Sequence, residues 1–270
     1  MKKPVIVIKY GGNAMINEDL KKAVLEDVIA LQKRGYAPVL SHGGGPGINK
    51  MLKALNIPTR FVDGLRYTDA ATLEAVEAVL IGQVGTELVS LLEAGGGKAA
   101  GLSGVSGQLF HCRLKDEIYG LVGEITSVHP EVVEAVLEKG FIPVIAPLGT
   151  DGHGQIYNIN GDTAAAMLAA ALKAEKLLLL TDIEGLCNSL EKRDVISYLN
   201  INDVPALKEK GVIAGGMLPK IDGCVQAIRD GVGSVHILDG RRPHSILEVF
   251  TEAEPSGTEI GTKKDSIGIQ

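Results

Sequence analysis

Lys9 closes a short apolar stretch, residues 5–8, and stands directly before Gly11 and Gly12. A cation there suits a phosphate held by the amides of the glycine turn, because a chain without side chains can approach oxygens closely. The same lysine also fits a structural role, its stem along the sheet end and its ammonium in water. Lys220 follows Gly215-Gly216-Met-Leu-Pro219. Proline favours the first helical position, so Lys220 is expected in the first turn of a helix, where a cation opposes the helix dipole. An anionic ligand would reverse the sign of that interaction. Asp162, after Asn158-Ile-Asn160-Gly161, is placed to N-cap a following helix, and a capping carboxylate could also brace two nearby lysines. Arg66, in Gly64-Leu-Arg-Tyr-Thr68, reads either as a solvated loop residue or as a planar fork for a substrate carboxylate. His42, in His42-Gly-Gly-Gly-Pro46, has no serine or cysteine motif to activate and reads as structural.

Spacing excludes several common sites. Gly97-Lys98 is the one Gly-Lys pair, and it has Leu92 where a Walker loop needs glycine and Ala99 where it needs a hydroxyl. Gly45-Pro-Gly47 lacks the third glycine of a dinucleotide fingerprint, Lys50 standing there instead. Protein-kinase motifs, a zinc-protease helix and the G-x-S-x-G elbow are also missing.

The elements that must position these residues alternate along the chain. Residues 5–8 predict a strand buried on both faces, and residues 18–34 an amphipathic helix capped by Asn17. A second strand over 37–41 completes a βαβ unit with a parallel pair. A long helix is expected from 68 to about 93, strands at 99–103 and 141–146, hairpins over 108–124, and a helix over 130–139. Asp162 opens a helix to about 172. Strands at 177–180 and 234–238 and helices at 219–229 and 246–250 follow. Such alternation predicts a doubly wound α/β sandwich with ligands at the carboxyl ends of strands, where the glycine clusters lie.

The chain has 270 residues, 27 Lys and Arg against 33 Asp and Glu, and a net charge of −6. No basic block is present, so neither a nucleic-acid nor a membrane partner is expected. Cys112, Cys187 and Cys224 are odd in number and far apart, which predicts reduced thiols and no metal site. Residues 5–8 are too few for the apolar region of a signal peptide, and no run suggests a membrane span. A soluble cytoplasmic protein is the expectation.

Lys9-Tyr-Gly-Gly-Asn13, His42-Gly-Gly-Gly-Pro46, Asp63-Gly-Leu-Arg66, Asn158-Ile-Asn-Gly-Asp162, Thr181-Asp-Ile-Glu-Gly185 and Gly215-Gly-Met-Leu-Pro-Lys220 together resemble the acetylglutamate kinases in type and order. The likeness runs over about residues 5–258. It implies a three-layer αβα sandwich around a mainly parallel sheet, one domain over 1–270, and a homodimer formed through the N-terminal lobe. That lobe, to about residue 172, would bind substrate, and the C-terminal lobe from about 173 would bind ATP. The implied reaction is ATP-dependent phosphorylation of the γ-carboxylate of N-acetyl-L-glutamate in arginine biosynthesis, with Mg²⁺ carried by ATP. By position, Lys9 and Lys220 would stabilise the transferring phosphoryl group and Asp162 would orient both. Gly11 and Gly12 on the ATP side, and Gly44 and Gly45 on the substrate side, would give backbone contacts. Arg66, Asn158 and Asn160 would hold acetylglutamate. Asp182, Gly185, Leu186, Val212, Ile213 and Ala214 would line the nucleotide site.

Arginine-inhibited members resemble this chain at residues 9–15 and in His236-Ile-Leu-Asp-Gly-Arg241. They carry a further helix before the first strand, which here begins at Val5. The spacing from His236 to Glu248 is also one residue short of theirs, and Glu254-Pro-Ser precedes Gly257-Thr258. A dimer insensitive to arginine is therefore expected. Three rival readings remain: a sister kinase of carrier-linked aminoadipate, a ligand sensor, and a dinucleotide-dependent oxidoreductase. The first needs a basic docking face, the second has no need of Lys9, Asp162 and Lys220, and the third lacks its glycine fingerprint.

Overall fold

The apolar run at the start of the chain forms β1 (Val5–Tyr10), an interior strand of an eight-stranded sheet in the computed structural model, which describes residues 3–188, 194–252 and 255–262. Asn17 caps α1 (Glu18–Lys33) by accepting from the Leu20 N–H, and the chain returns as β2 (Ala37–His42). α2 (Gly45–Ala54) starts from the glycine run, and a small hairpin, β3 (Phe61–Val62) with β4 (Leu65–Arg66), leads into α3 (Ala70–Glu77). From Ala78 to Gly85 that helix widens into a π-helical stretch and then continues as α4 (Thr86–Ala94). Next come β5 (Ala99–Ser103), β6 (Phe110–Leu114), β7 (Gly123–Val128), α5 (Glu131–Glu138), β8 (Ile142–Ala146), β9 (Leu148–Thr150), β10 (Ile156–Asn158) and α6 (Gly161–Ala171). β11 (Lys176–Thr181), β12 (Tyr198–Asn200), α7 (Val204–Glu209), α8 (Met217–Arg229), β13 (Ser234–Asp239), α9 (Ser245–Thr251) and β14 (Thr258–Gly261) follow.

The main sheet runs β12-β14-β13-β11-β1-β2-β8-β5, with every pair parallel except β13 with β14. β6, β7, β9 and β10 form a second, mostly antiparallel sheet. The chain leaves β1 toward β2 and returns to the other side of β1 only with β11. That reversal is a topological switch point, where the carboxyl ends of strands open a crevice for ligands.

Alternation along the strands divides the core into two layers. Val5 and Val7 of β1 and Leu177 and Leu179 of β11 pack with residues of α6 and α8. Ile6, Ile8 and Tyr10, with Leu178 and Leu180, pack with residues of α1, α4 and α9. Helices thus cover both faces, and each fully buried Val, Leu or Ile contributes about 1.5–3 kcal/mol relative to exposure. The same period of two puts Lys9, two residues after Val7, on the α6 and α8 face. The three-layer αβα sandwich inferred from the sequence is the fold observed.

Some elements differ from the sequence reading. The long helix starts after Asp69, whose carboxylate accepts from the Thr72 N–H, so Thr68 lies outside it. Among the described residues it is the one helix, 25 residues over Ala70–Ala94, long and apolar enough by composition to cross a membrane, contrary to the expectation of none. Its apolarity has a local cause, since Leu73, Val76, Val79, Leu80, Leu88 and Leu92 are buried in the fold. α2, α7, β12 and β14 were not foreseen. Glu254, on which part of the arginine comparison turns, is outside the described residues.

Candidate active site

Lys9 sits near the carboxyl end of β1 with its ammonium 3.0 Å from Oδ1 of Asp162. Lys220, in the first turn of α8, donates to Oδ2 of the same carboxylate at 2.5 Å. All three side chains are largely sheltered, at 15%, 18% and 31% exposure for Lys9, Lys220 and Asp162. Burial alone pushes the Asp162 carboxyl up, but the two ammonium groups outweigh it and hold the group down at about 2. Asp162 is therefore an anion at any working pH, fixing two cations on one side of the crevice.

Two expectations about local structure are corrected here. Asp162 is not the N-cap of its helix. Asn160 takes that place, its Oδ1 accepting from the N–H groups of Asp162 and Thr163, which leaves the Asp162 carboxylate free to face the lysines. Proline 219 is not the first helical residue either. α8 begins at Met217, so Pro219 is third and Lys220 fourth. Pro219 is tolerated because first-turn N–H groups have no helical acceptor.

Glycine turns from two neighbouring strands meet beside this cluster. The Gly43 N–H donates to the Tyr10 carbonyl at 2.8 Å, tying the loop after β2 to the end of β1. A methyl on Gly11 would lie 2.9 Å from the Lys9 ammonium, and one on Gly12, at φ +70°, would lie 3.0 Å from the Asp182 carboxylate. Gly44 is the N-cap residue of α2, and a methyl there would meet Leu80 at 2.6 Å. Gly45 opens onto empty space. Among the described residues no backbone acceptor takes the N–H groups of Gly44 and Gly45. Such donors at a helix start, beside lysines, make an anion cradle.

The Amino acid kinase family model matches residues 4–239 of the chain. The protein belongs to the amino acid kinase family. It is 49% identical over 261 residues to the acetylglutamate kinase of Heliobacterium modesticaldum, a match covering 92% of this chain and 88% of that one. Against the acetylglutamate kinase of Desulforamulus reducens the identity is 50% over 253 residues, with the same coverage of 92% and 88%. Among solved structures, N-acetylglutamate synthase from Neisseria gonorrhoeae, complexed with coenzyme A and N-acetyl-glutamate, is similar with a TM-score of 0.83 at 24% identity. The match covers 97% of this chain and 60% of the synthase, and it is a likeness of fold.

In this amino acid kinase Arg66 is buried on β4 at 8% exposure. One guanidinium nitrogen, Nη2, donates to Oδ1 of Asn49 at 2.6 Å, and the group lies 4.9 Å from the centre of the Phe61 ring. Nη1 is buried with no partner, and burial pulls the guanidinium below its ordinary pKa. An unpaired buried donor on a fixed cation is primed for an anionic ligand. Asn158 Nδ2 donates to Thr68 Oγ1 at 3.1 Å, and Thr68 Oγ1 donates to the Arg66 carbonyl at 2.9 Å. Arg66 and Asn158 thus belong to one network. Asn49 and Thr68 were missed as site residues, because an asparagine inside a helix and a threonine beside a cap carry no local signal.

On the other side of the cluster, Asp182 ends close to Gly12, while Gly185 and Leu186 lie against β14. Gly185 has φ +149°, and a methyl there would come within 2.8 Å of Thr258 Oγ1, which accepts from the Leu186 N–H. Leu186 and Ile213 are buried in the core, so contacts from them to a ligand fall to their backbone. Ala214 is exposed just before α8. Asn160 spends its Oδ1 on capping. Among the described residues no group of three or more His, Cys, Asp or Glu stands together as a metal site.

Proposed function

We propose that the protein transfers the γ-phosphoryl group of ATP to the side-chain carboxylate of N-acetyl-L-glutamate, giving N-acetyl-L-glutamyl 5-phosphate for arginine biosynthesis. The single carboxylate of Asp162 held between Lys9 and Lys220 beside two glycine turns supports this reading most directly. Relatives named acetylglutamate kinase at about half identity support the choice of substrate.

A carboxylate is already a nucleophile at neutral pH, so no general base is needed. One carboxylate oxygen forms a bond to the γ-phosphorus while the bond from that phosphorus to its bridging oxygen breaks, the electron pair leaving with ADP. The difficulty lies in bringing two anions together and spreading charge over a loose transition state. Lys9 and Lys220 would take that charge, with Asp162 holding both ammonium groups so that little reorganisation is needed. Backbone N–H groups of Gly11 and Gly12 would contact ATP phosphates, and those of Gly44 and Gly45 the substrate side. Arg66 would grip a backbone carboxylate of acetylglutamate with its unpaired Nη1, and Asn158 and Asn160 would line the same pocket. Asp182, Gly185, Leu186, Val212, Ile213 and Ala214 would flank the nucleotide. Mg²⁺ would enter with ATP as the counter-ion of its phosphates.

The lobes would divide the work, substrate and dimerisation before about residue 172 and nucleotide after it, in a cytoplasmic homodimer. Phosphorus NMR of a mixture of protein, ATP, Mg²⁺ and N-acetyl-L-glutamate tests the reaction. An acyl-phosphate resonance appearing with ADP is expected; ADP with inorganic phosphate alone would contradict the acceptor assigned here.

A further inference from the structure

His42 ends β2 and is fully buried, at 0% exposure. Its Nδ1 lies 2.8 Å from the Gly43 carbonyl. A carbonyl only accepts, so Nδ1 carries the proton, and Nε2 is left as a bare, buried acceptor without a partner. Burial holds the imidazole down at about 4, so the ring is neutral in working buffers.

The hydrogen bond has a geometric consequence. The carbonyl of Gly43 and the N–H of Gly44 belong to one planar trans peptide and point in opposite directions. His42 pairs with Tyr10 and Ser41 with Lys9 across β1 and β2, so the ring lies on the sheet face opposite to Lys9. Drawing the Gly43 carbonyl toward that ring turns the Gly44 N–H toward the Lys9 face. Other bonds hold the peptide's neighbours, since Gly43 N–H donates to Tyr10 and the Gly44 carbonyl accepts from Ile48 N–H. The π-helical stretch supports the loop from below. Leu80 underlies Gly44 and Val79 underlies Gly47, and a methyl on Gly85 would lie 3.4 Å from His42 Nε2 and 3.0 Å from the Leu80 carbonyl.

We propose that His42 is a positioning residue for phosphoryl transfer: its neutral Nδ1–H locks the Gly43–Gly44 peptide so that the Gly44 N–H faces the Lys9–Asp162–Lys220 cluster. The proposal rests on the glycine turn holding the reacting groups, as read above.

Asparagine and glutamine separate this role from simple packing, because the amide nitrogen of asparagine replaces Nδ1 and that of glutamine replaces Nε2. H42N is expected to keep kcat within about fivefold of the unaltered protein, and H42Q to lose about 10- to 100-fold, the scale of a small misplacement. KM for both substrates should move less than about threefold in each, since transition-state contacts fall on kcat. Thermal melting shows whether each variant is folded. Equal activity of H42N and H42Q, or a loss confined to KM, would overturn the proposal. A kcat inflection between pH 6 and 7 in the unaltered protein that H42N abolishes would also overturn it. Amide NMR of the free protein needs no turnover: the Gly44 resonance should shift in H42Q and stay in H42N. Should the unaltered protein make no acyl phosphate, the functional reading fails and this comparison alone decides the positioning role.

Discussion

Lys220 reaches Oδ2 of Asp162 at 2.5 Å across 58 residues of chain, leaving Oδ1 of the same carboxylate to Lys9 at 3.0 Å. Two cations from a strand end and a helix start are thereby fixed by one buried-edge anion. The arrangement makes the site's charge a property of three side chains together, so each can be tested through the others.

Removing one lysine should act on the chemical step. Lys220→Ala is expected to lower kcat roughly 10²–10³-fold, the scale for loss of one oriented donor to developing charge. Steady-state kinetics with varied ATP and N-acetyl-L-glutamate measures it. A near-normal kcat would remove Lys220 from the mechanism.

Asp162 links the site to stability. Its carboxyl is held at about 2 in the fold against an ordinary 3.8. A depressed acid stabilises the fold above its unfolded value and loses that contribution as pH falls through the folded one, here from about 4 to about 2. Asp162→Asn should cost about 1–2 kcal/mol at pH 7, allowing for screening at its exposed edge. Urea melts of both proteins should differ most near pH 7 and converge below pH 4. A gap independent of pH would contradict the ion pairing.

Arg66→Lys tests the substrate grip. A lysine ammonium has three N–H donors on one nitrogen and no planar fork, so it cannot occupy the positions of Nη2 beside Asn49 and of Nη1 together. Binding of N-acetyl-L-glutamate should therefore weaken by about 1.5–3 kcal/mol, the range for a charge-assisted hydrogen bond. Calorimetric titration of the free protein reads this directly. Unchanged affinity would mean that Nη1 meets no substrate atom.

A second acid sensitivity comes from His42. The folded ring resists protonation down to about 4, whereas an unfolded one takes its proton near 6.5. Because the unfolded state binds the extra proton between those values, stability falls as pH drops from 6.5 to 4, by up to about 3 kcal/mol. His42→Asn should flatten that part of the stability–pH curve. A curve of unchanged slope between pH 6.5 and 4 would place the proton elsewhere.

Much of the frame was legible in the sequence because its signals are local. The β-branched run of β1, the Asn17 cap and the leucines of β11 each identify their element without help from the rest. The motif set also indicated Lys9, Asp162 and Lys220. Failures came where two local solutions were equally good. Asn160 and Asp162 are both sound caps two residues apart, and only lysines arriving from β1 and α8 decide that Asp162 turns outward. Pro219 suits the first or the third helical position, so the start of α8 was misread by two residues. In α2, Gly45-Pro-Gly47 obscured a helix whose Ile48 and Leu52 face inward. Strands of three or four residues, such as β12 and β14, carry too little pattern to show. The π-helical stretch was invisible too, since an apolar run broken by Gly82 and Gly85 does not reveal how wide its turns are.

Hydroxylamine trapping of acyl phosphate by the purified protein, with ATP and in turn N-acetyl-L-glutamate, L-glutamate, L-aspartate and N-acetyl-aminoadipate, decides whether a carboxylate is phosphorylated and which one. Hydroxamate is expected with N-acetyl-L-glutamate alone. Hydroxamate with another acid would keep the lysine–aspartate chemistry and contradict the substrate, while none from any of the four, in folded protein, would contradict carboxylate phosphorylation itself.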